Sequence, residues 1–467
     1  MISFKSFFSG AFVIFVAYYL FLSVYYLVLN MVGFFEYWNR RKEHEEENYA
    51  ALSVSSFTVP VSIIIPVHNE ELWILDCLKS VLNLNYPEFE IIIVDDGSVD
   101  KTIPILKDFL KLKFIHNPYT DHFSSGKILG LYRSEKHPKI TVLSKESGGK
   151  KAGAVNAGLN IAKYKFVCVM DSDTVLENNA LLKVMAHVQK DPERIIGIGS
   201  YFGLVNGFKI KDGQILERSF SWKPVVAYQT LEYIRTFIGN RIAWSRFNAM
   251  PNIAGGFGVW RRDVLLDLGG YNTEFSSEDV EFTFRAHGYI AKHKKKHYRI
   301  MMLPYYVGWT EGPNDVKSLI QQRDRWQRVM IETVWHYKYM LFNPKYGSFG
   351  FVTFPYFLFY EVLGVFFELA SVVITVWGYL AGLLNTELFF GFFILMILYQ
   401  AFISLIPLFT FNRAQEIFKS KDAAYLVFLS LVEFFWYRWI IAWSKFAGTF
   451  NFFRGDRTYN MVPRTRA

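Results

Sequence analysis

Hydrophobic residues fall along this chain in three blocks. Between Ser6 and Phe35 there is no Asp, Glu, Lys or Arg. A helix needs only about 20 apolar residues to cross the hydrocarbon core, so this stretch predicts one long or tilted span. It runs into Phe34, Phe35 and Trp38 rather than ending in small residues, which argues against a cleaved signal peptide. Residues 60–345 alternate instead between short apolar runs and helical stretches: VSIIIPV, ELWILDCLKSVL, FEIIIVDDGS and later YKFVCVMDSD. Continuous apolar runs closed by Asp or Gly read as buried parallel strands, and their alternation with helices predicts an α/β layer. After Lys345 the chain is apolar again over 346–386, 388–412 and 423–449. The first two of these predict a hairpin of two spans turning near Asn385. The third, with Trp436, Trp439 and Trp443, reads either as one more span or as an interfacial helix.

The resulting order is a transmembrane helix at 1–38, a charged juxtamembrane linker at 39–59, an α/β domain with interfacial helices at 60–345, transmembrane and interfacial helices at 346–450, and a basic tail at 451–467. Composition agrees, since 52% hydrophobic and 18% aromatic residues exceed what a soluble protein carries. Arg40, Arg41 and Lys42 after the first span place the α/β domain in the cytoplasm, and Arg413, Lys419 and Lys421 do the same for the loop at 412–422. A further span would put Arg454, Arg457, Arg464 and Arg466 outside, against that rule. The net charge of +9 gathers partly beside apolar segments, which suggests membrane lipids or phosphates as partners and no nucleic acid. Cys77 and Cys168 support neither a disulfide framework nor a zinc site.

Ligands of α/β layers bind at the carboxyl ends of strands, and there the acidic motifs sit. Asp171-Ser172-Asp173 closes one apolar run, so two carboxylates one residue apart can share Mg2+ or Mn2+ carrying a diphosphate. A strand-to-turn junction also uses Asp for local hydrogen bonds, and Asp95-Asp96-Gly97-Ser98 has the same two readings. Between them Gly148, Gly149, Lys150, Lys151 and Gly153 lead into a helix in a manner suited to phosphate, with spacing foreign to nucleotide-triphosphatase and dinucleotide motifs. His287, His293 and His297 lie among lysines that repel cations, which predicts a solvated or headgroup-facing surface rather than a metal site. Glu361 and Glu368 share a helical face and are costly against lipid, so they are expected to line a bundle interior or a polymer path.

The ordered motifs IIIPVHNE, IIIVDDGS, KAGAVN, DSD, SED and QRDRW, from Val61 to Trp326, resemble the membrane-embedded processive synthases of glycosyltransferase family 2, which make cellulose, chitin, hyaluronan and poly-N-acetylglucosamine. The resemblance implies an α/β GT-A glycosyltransferase domain, a mixed and mostly parallel sheet with helices on both faces, inserted between α-helical transmembrane segments. It places Pro66, His68, Glu70, Asp95, Asp96, Lys151, Asp171 and Arg325 in the donor site, and Asp171 and Asp173 on the metal. It makes Asp279, with Glu278, the catalytic acid pair, in a motif where Ser277 departs from the family's Thr. Position alone also lets Asp279 cap a helix. Gly255, Gly256, Phe257, Gln322 and Trp326 fall to the acceptor. The implied activity is inverting transfer from UDP-N-acetylglucosamine or another UDP-hexose to a growing polysaccharide, processive and coupled to export, in a multi-pass cell-membrane protein with export subunits as candidate partners. The alternatives are a single transfer to a polyprenyl phosphate or other membrane lipid, and a non-catalytic nucleotide-sugar sensor.

Overall fold

The computed structural model describes residues 4–116, 119, 121–415 and 417–456. Arg457, Arg464 and Arg466 of the expected basic tail lie outside the described residues. The apolar runs form strands as their composition requires: β1 (Val61–Val67) and β2 (Phe89–Asp96) are buried along their whole length. They are followed by β3 (Leu112–Phe114), β4 (Ile128–Ser134), β5 (Ile140–Lys145), β6 (Phe166–Met170), β7 (Val175–Leu176) and β8 (Ile195–Leu204). β9 (Lys209–Lys211) and β10 (Gln214–Glu217) form a separate hairpin, and β11 (Phe257–Arg261) and β12 (Arg299–Thr310) complete the main sheet. Its order is β3-β4-β5-β2-β1-β6-β11-β8-β12-β7.

Alternate residues of the central strands feed two cores, Ile64, Ile92 and Val94 on one face and Ile63, Ile65 and Ile91 on the other. Helices cover both, as buried parallel strands demand. β1 is parallel to β2 and β6, and β2 to β5, so their carboxyl ends meet along one edge. The sheet is mixed in the particular sense that β4, β7 and β11 oppose the other strands. Phe257 at the start of β11 pairs with Met170 at the end of β6, which delivers the preceding glycines to the edge where Asp171 departs.

The N-terminal helix is Phe4–Glu45, and it consumes the first part of the expected linker. Residues 39–45 stay helical because Arg40 pairs with Glu36 at 2.9 Å and Arg41 with Glu45 at 2.6 Å, one turn apart. A short helix, Tyr49–Val54, follows. Phe8–Glu45 and Thr386–Arg413 are long and apolar enough to cross a membrane, and the total rises to four if each of two bent helix pairs is one span. The protein is therefore membrane-associated. Residues 346–386 are not one straight span: Phe349–Val362 and Gly364–Leu380 meet at 48°. The last apolar stretch is likewise broken, by 53°, between Ser420–Phe435 and Tyr437–Phe453. Its second half lies on the Val316–His336 helix, where a Cβ on Gly448 would stand 2.7 Å from the Asp324 carbonyl oxygen.

His287 corrects the expectation of a solvated histidine cluster. It is buried, its Nε2 lies 2.8 Å from the Met250 carbonyl oxygen, and its ring stacks on Phe349 at 4.0 Å. Burial pushes its pKa down to about 4. The neighbouring Lys294–Lys296 turn does face solvent.

The N-terminal helix crosses a π-helical segment, Arg235–Arg241, through backbone contact at Gly33 and Gly239. A Cβ on Gly33 would stand 2.5 Å from the Gly239 carbonyl oxygen. Gly33→Ala is thus expected to force the two helices apart, at an overpacking cost of about 1–3 kcal/mol. The thermal midpoint of the detergent-solubilised protein should fall; an unchanged midpoint would mean the crossing relaxes freely.

Candidate active site

Asp171 leaves the end of β6 with its carboxylate 2.6 Å from the Lys151 ammonium. Lys151 opens the Lys151–Ile161 helix, after Gly149 turns the chain at φ +70°. Its Nζ also reaches Glu278 Oε1 at 2.9 Å and donates to the Gly255 carbonyl at 3.2 Å. Burial opposes the charge on Lys151, but Asp171 and Glu278 outweigh it and hold its pKa well above the usual value. Burial, reinforced by Asp279, raises the Glu278 pKa despite Lys151. Any side chain at Gly255 would collide with this cluster, its Cβ 2.7 Å from Lys151 Nζ and 3.2 Å from Glu278 Oε1. Asp173 is buried and accepts from Thr310 Oγ1 at 3.2 Å, where β12 ends.

Asp279 lies in the first turn of the Glu278–Lys292 helix, one residue past its start, so Ser277 and not Asp279 holds the cap position. Its Oδ1 accepts from Ser277 Oγ at 2.5 Å and from Val280 N at 2.8 Å, and Oδ2 accepts from Gly255 N at 3.1 Å. The substituted Ser277 keeps the hydroxyl that this bond needs.

At the other end, Pro66, His68, Glu70 and Asp96 line the same cavity. His68 Nδ1 lies 2.8 Å from the Asp96 carbonyl oxygen, and the Asp96 carboxylate accepts from Lys145 Nζ and from Gly148 N, the latter at 3.1 Å. Lys145, fully buried at the end of β5, escapes sequence reasoning; its one signal is a lysine closing the run ITVLS. Asp95 requires a correction. It is buried away from the cavity lining, accepting from Ser98 N at 3.1 Å and Ser144 Oγ at 3.2 Å, so it organises the loop. Phe257 requires another: its side chain belongs to the sheet core with Ile63 and Cys168, and only Gly255 and Gly256 of that trio reach the cavity.

Gln322, Arg325 and Trp326 line the cavity from the Val316–His336 helix, which starts where the Asp315 side chain accepts from Ser318 N. Arg323, within the same motif, is held by Glu232 through two bonds of 2.7 and 2.9 Å and stacks on Trp326 at 4.3 Å. Tyr437 donates to the same Glu232 at 2.9 Å. Glu232 and Tyr437 were not legible as partners, because they come from segments far apart in the chain.

The cavity, of about 1220 Å³, continues from these groups between the apolar helices from the two ends of the chain, past Tyr18, Tyr26, Glu361, Glu368, Arg438 and Lys445. Glu361 pairs with Lys445 at 2.6 Å and accepts from Tyr356 at 2.8 Å, Glu368 pairs with Arg438, and Arg235 meets Glu433 at 3.0 Å. Pairing is how charge is tolerated when it is buried among apolar helices. Among the described residues no three His, Cys, Asp or Glu side chains form a metal cage. Asp171 and Asp173 suit a hard cation that takes its remaining oxygens from a bound diphosphate.

A mixed α/β sheet with an acidic cluster at its strand ends fits a GT-A glycosyltransferase, and the family matches assign it: residues 62–268 match Glycosyl transferase family 2 and residues 166–411 match Glycosyl transferase family group 2. The chain belongs to this family and is a glycosyltransferase. Mannosyltransferase PcManGT from Pyrobaculum calidifontis, solved with GDP-Man and Mn2+, shares the fold at 17% identity and a TM-score of 0.51, covering 89% of this chain and 99% of that one. Poly-beta-1,6-N-acetyl-D-glucosamine synthase of Staphylococcus epidermidis is 26% identical over 327 residues, 68% of this chain and 65% of that protein. The match thus spans just under two thirds of that relative. Probable glycosyltransferase YdaM of Bacillus subtilis is 28% identical over 349 residues, 71% of this chain and 72% of that protein.

Proposed function

We propose that this protein is an inverting, processive β-glycosyltransferase that extends a polysaccharide and passes it into the membrane. The observation that carries the reading is the continuity of one cavity from Asp279 past Trp326 to Glu361 and Glu368 among the membrane helices. A single transfer to a lipid needs no such polar continuation. UDP-N-acetylglucosamine is the donor favoured by similarity to the S. epidermidis synthase, with other UDP-hexoses next. The clusters Arg40–Arg41–Lys42 and Lys419–Lys421 support a multi-pass arrangement with the catalytic domain in the cytoplasm.

In this mechanism the nucleoside lies against Pro66, His68 and Asp96, and the diphosphate lies between Lys151 and Arg325. Asp171 and Asp173 would hold a divalent cation, which would neutralise charge on the diphosphate. Asp279 takes the proton of the acceptor hydroxyl as its oxygen attacks the anomeric carbon; the bond to the diphosphate breaks on the opposite face, so an α-linked donor yields a β-linked product. Lys151 and Arg325 stabilise the charge of the leaving nucleoside diphosphate where water is excluded. Lys151 also holds Glu278 beside Asp279, so donor binding and the base share one ion-pair network.

The Trp326 ring, 40% exposed and stacked on Arg323, offers a face to the acceptor sugar. Trp326→Ala is expected to shorten or abolish polymer while leaving UDP affinity largely intact, because the mechanism assigns the nucleoside to Pro66, His68 and Asp96 instead. Product length on labelled donor is the measurement. Single-sugar products from the wild-type protein would favour the lipid-acceptor reading, and an equal loss of UDP affinity in the variant would move Trp326 to the donor pocket.

A further inference from the structure

The mechanism above uses neither of two polar side chains that line the same cavity from the Arg235–Arg241 segment. Nε and Nη1 of Arg241 are buried and have no hydrogen-bond partner among the described residues, and the same is true of Asn240 Oδ1. A guanidinium is all donor and accepts nothing, so burying it unpartnered is costly unless a ligand brings oxygen atoms to it. The arrangement is held in place. The Arg241 guanidinium stacks over Phe237, one turn back, at 4.1 Å, and the segment is pressed onto the N-terminal helix at Gly33 and Gly239. Its hydrogen-bonding pattern is π-helical, a wide turn that is frequent at functional sites. Asp279 is the acidic group whose charge acts on Arg241, while burial holds the guanidinium below its ordinary range, at about 10. Gln322 Oε1, which lines the same cavity as Trp326, is also buried and without a partner among the described residues.

We infer that Arg241, with Asn240, is an acceptor-binding site: the guanidinium donates to oxygen atoms of the acceptor's terminal sugar, hydroxyl or acetamido, and Asn240 Oδ1 accepts a hydrogen bond from one of its hydroxyls. The inference rests on the proposed transfer to a saccharide. Arg241 and Trp326 then hold the terminal sugar between them, the first by hydrogen bonds and the second by its ring face, with the attacking hydroxyl beside Asp279. Arg241 differs in this from Arg323, whose two terminal nitrogens are both taken by Glu232 and which keeps only a buried Nε without a partner among the described residues, and from Arg325, which the mechanism assigns to the donor's diphosphate. Two donors in fixed register also make the site selective. An acceptor lacking oxygen atoms at that position would leave the guanidinium unpaired and bind poorly.

The test reads binding without turnover. Pentasaccharides of β-linked N-acetylglucosamine and of β-linked glucose are titrated into the full-length protein in detergent, saturated with UDP and Mg2+, and followed by tryptophan fluorescence; Trp244 and Trp326 both line the cavity. Arg241→Gln is expected to weaken binding of the preferred pentasaccharide by about 10- to 100-fold, the range for hydrogen bonds to a charged group, with UDP affinity at the wild-type value as proof of folding. Arg241→Lys keeps the charge without the fork and should fall between. Saccharide affinity unchanged in Arg241→Gln would overturn the inference, as would loss confined to a polyprenyl phosphate probe, equal loss of UDP affinity in both variants, or no pentasaccharide binding by the wild-type protein. Failure of the wild-type protein to transfer sugar from UDP-N-acetylglucosamine would instead sink the donor reading, since the binding arms do not depend on turnover.

Discussion

Asp279→Asn is expected to yield a folded protein that binds UDP normally and transfers sugar about 10² to 10⁴ times more slowly, the range for loss of a positioned general base. The geometry makes this a clean experiment. Asp279 accepts three hydrogen bonds, two on Oδ1 from Ser277 and Val280 and one on Oδ2 from Gly255 N. An asparagine oriented with its oxygen toward Ser277 keeps the first two and sets its amide against the Gly255 N–H. The structural cost is one hydrogen bond, about 1 kcal/mol, far less than a catalytic loss of two to four decades. Melting and UDP titration read the first quantity, and single-turnover transfer reads the second. A variant within a fewfold of wild-type turnover would remove Asp279 from the chemistry and leave it as a brace for the Gly255 turn.

Chelation of divalent cations is expected to abolish transfer, with recovery on adding Mg2+ or Mn2+, and Asp173→Asn should lower the rate by about 10² to 10³ even at saturating metal, as when one charge-stabilising group is removed. The carboxylates of Asp171 and Asp173 leave one strand end, yet they are held differently. Asp171 is bound by Lys151, whereas Asp173 is buried against Thr310. A metal on Asp171 would compete with Lys151 for that carboxylate, while Lys151 would keep its pairing with Glu278 and its charge within the site. Calorimetry should therefore show UDP affinity rising with Mg2+ in the wild-type protein and losing that dependence in Asp173→Asn. Full activity in a chelator would refute the assignment of both aspartates.

Much of this site was legible before any tertiary contact was known. The runs IIIPV, IIIV and FVCVM are apolar at every position because they lie in strands buried on both faces, and the acids that follow them lie where a parallel layer exposes its ligand edge. The proposed base and acceptor helix were read from a resemblance carried by the order of SED and QRDRW, and residues of both motifs line one cavity. Side-chain direction was less accessible. Asp95 and Asp96 are neighbours, and successive strand residues point to opposite faces, so one reaches the cavity while the other ties down the loop. Phe257 goes to the core and Gly256 to the cavity for a related reason.

The sequence by itself determined the two apolar ends, the α/β layer between them and the acids at its strand edge, since each follows from a local run or spacing. The tertiary structure alone decided which charges meet. Lys145 joins Asp96 across 49 positions and Arg323 joins Glu232 across 91, while Glu361 and Lys445, which both line the cavity, pair from 84 positions apart. Local periodicity carries no record of such pairs, because burial of charge becomes costly, and pairing becomes necessary, only once distant segments have packed together and excluded water.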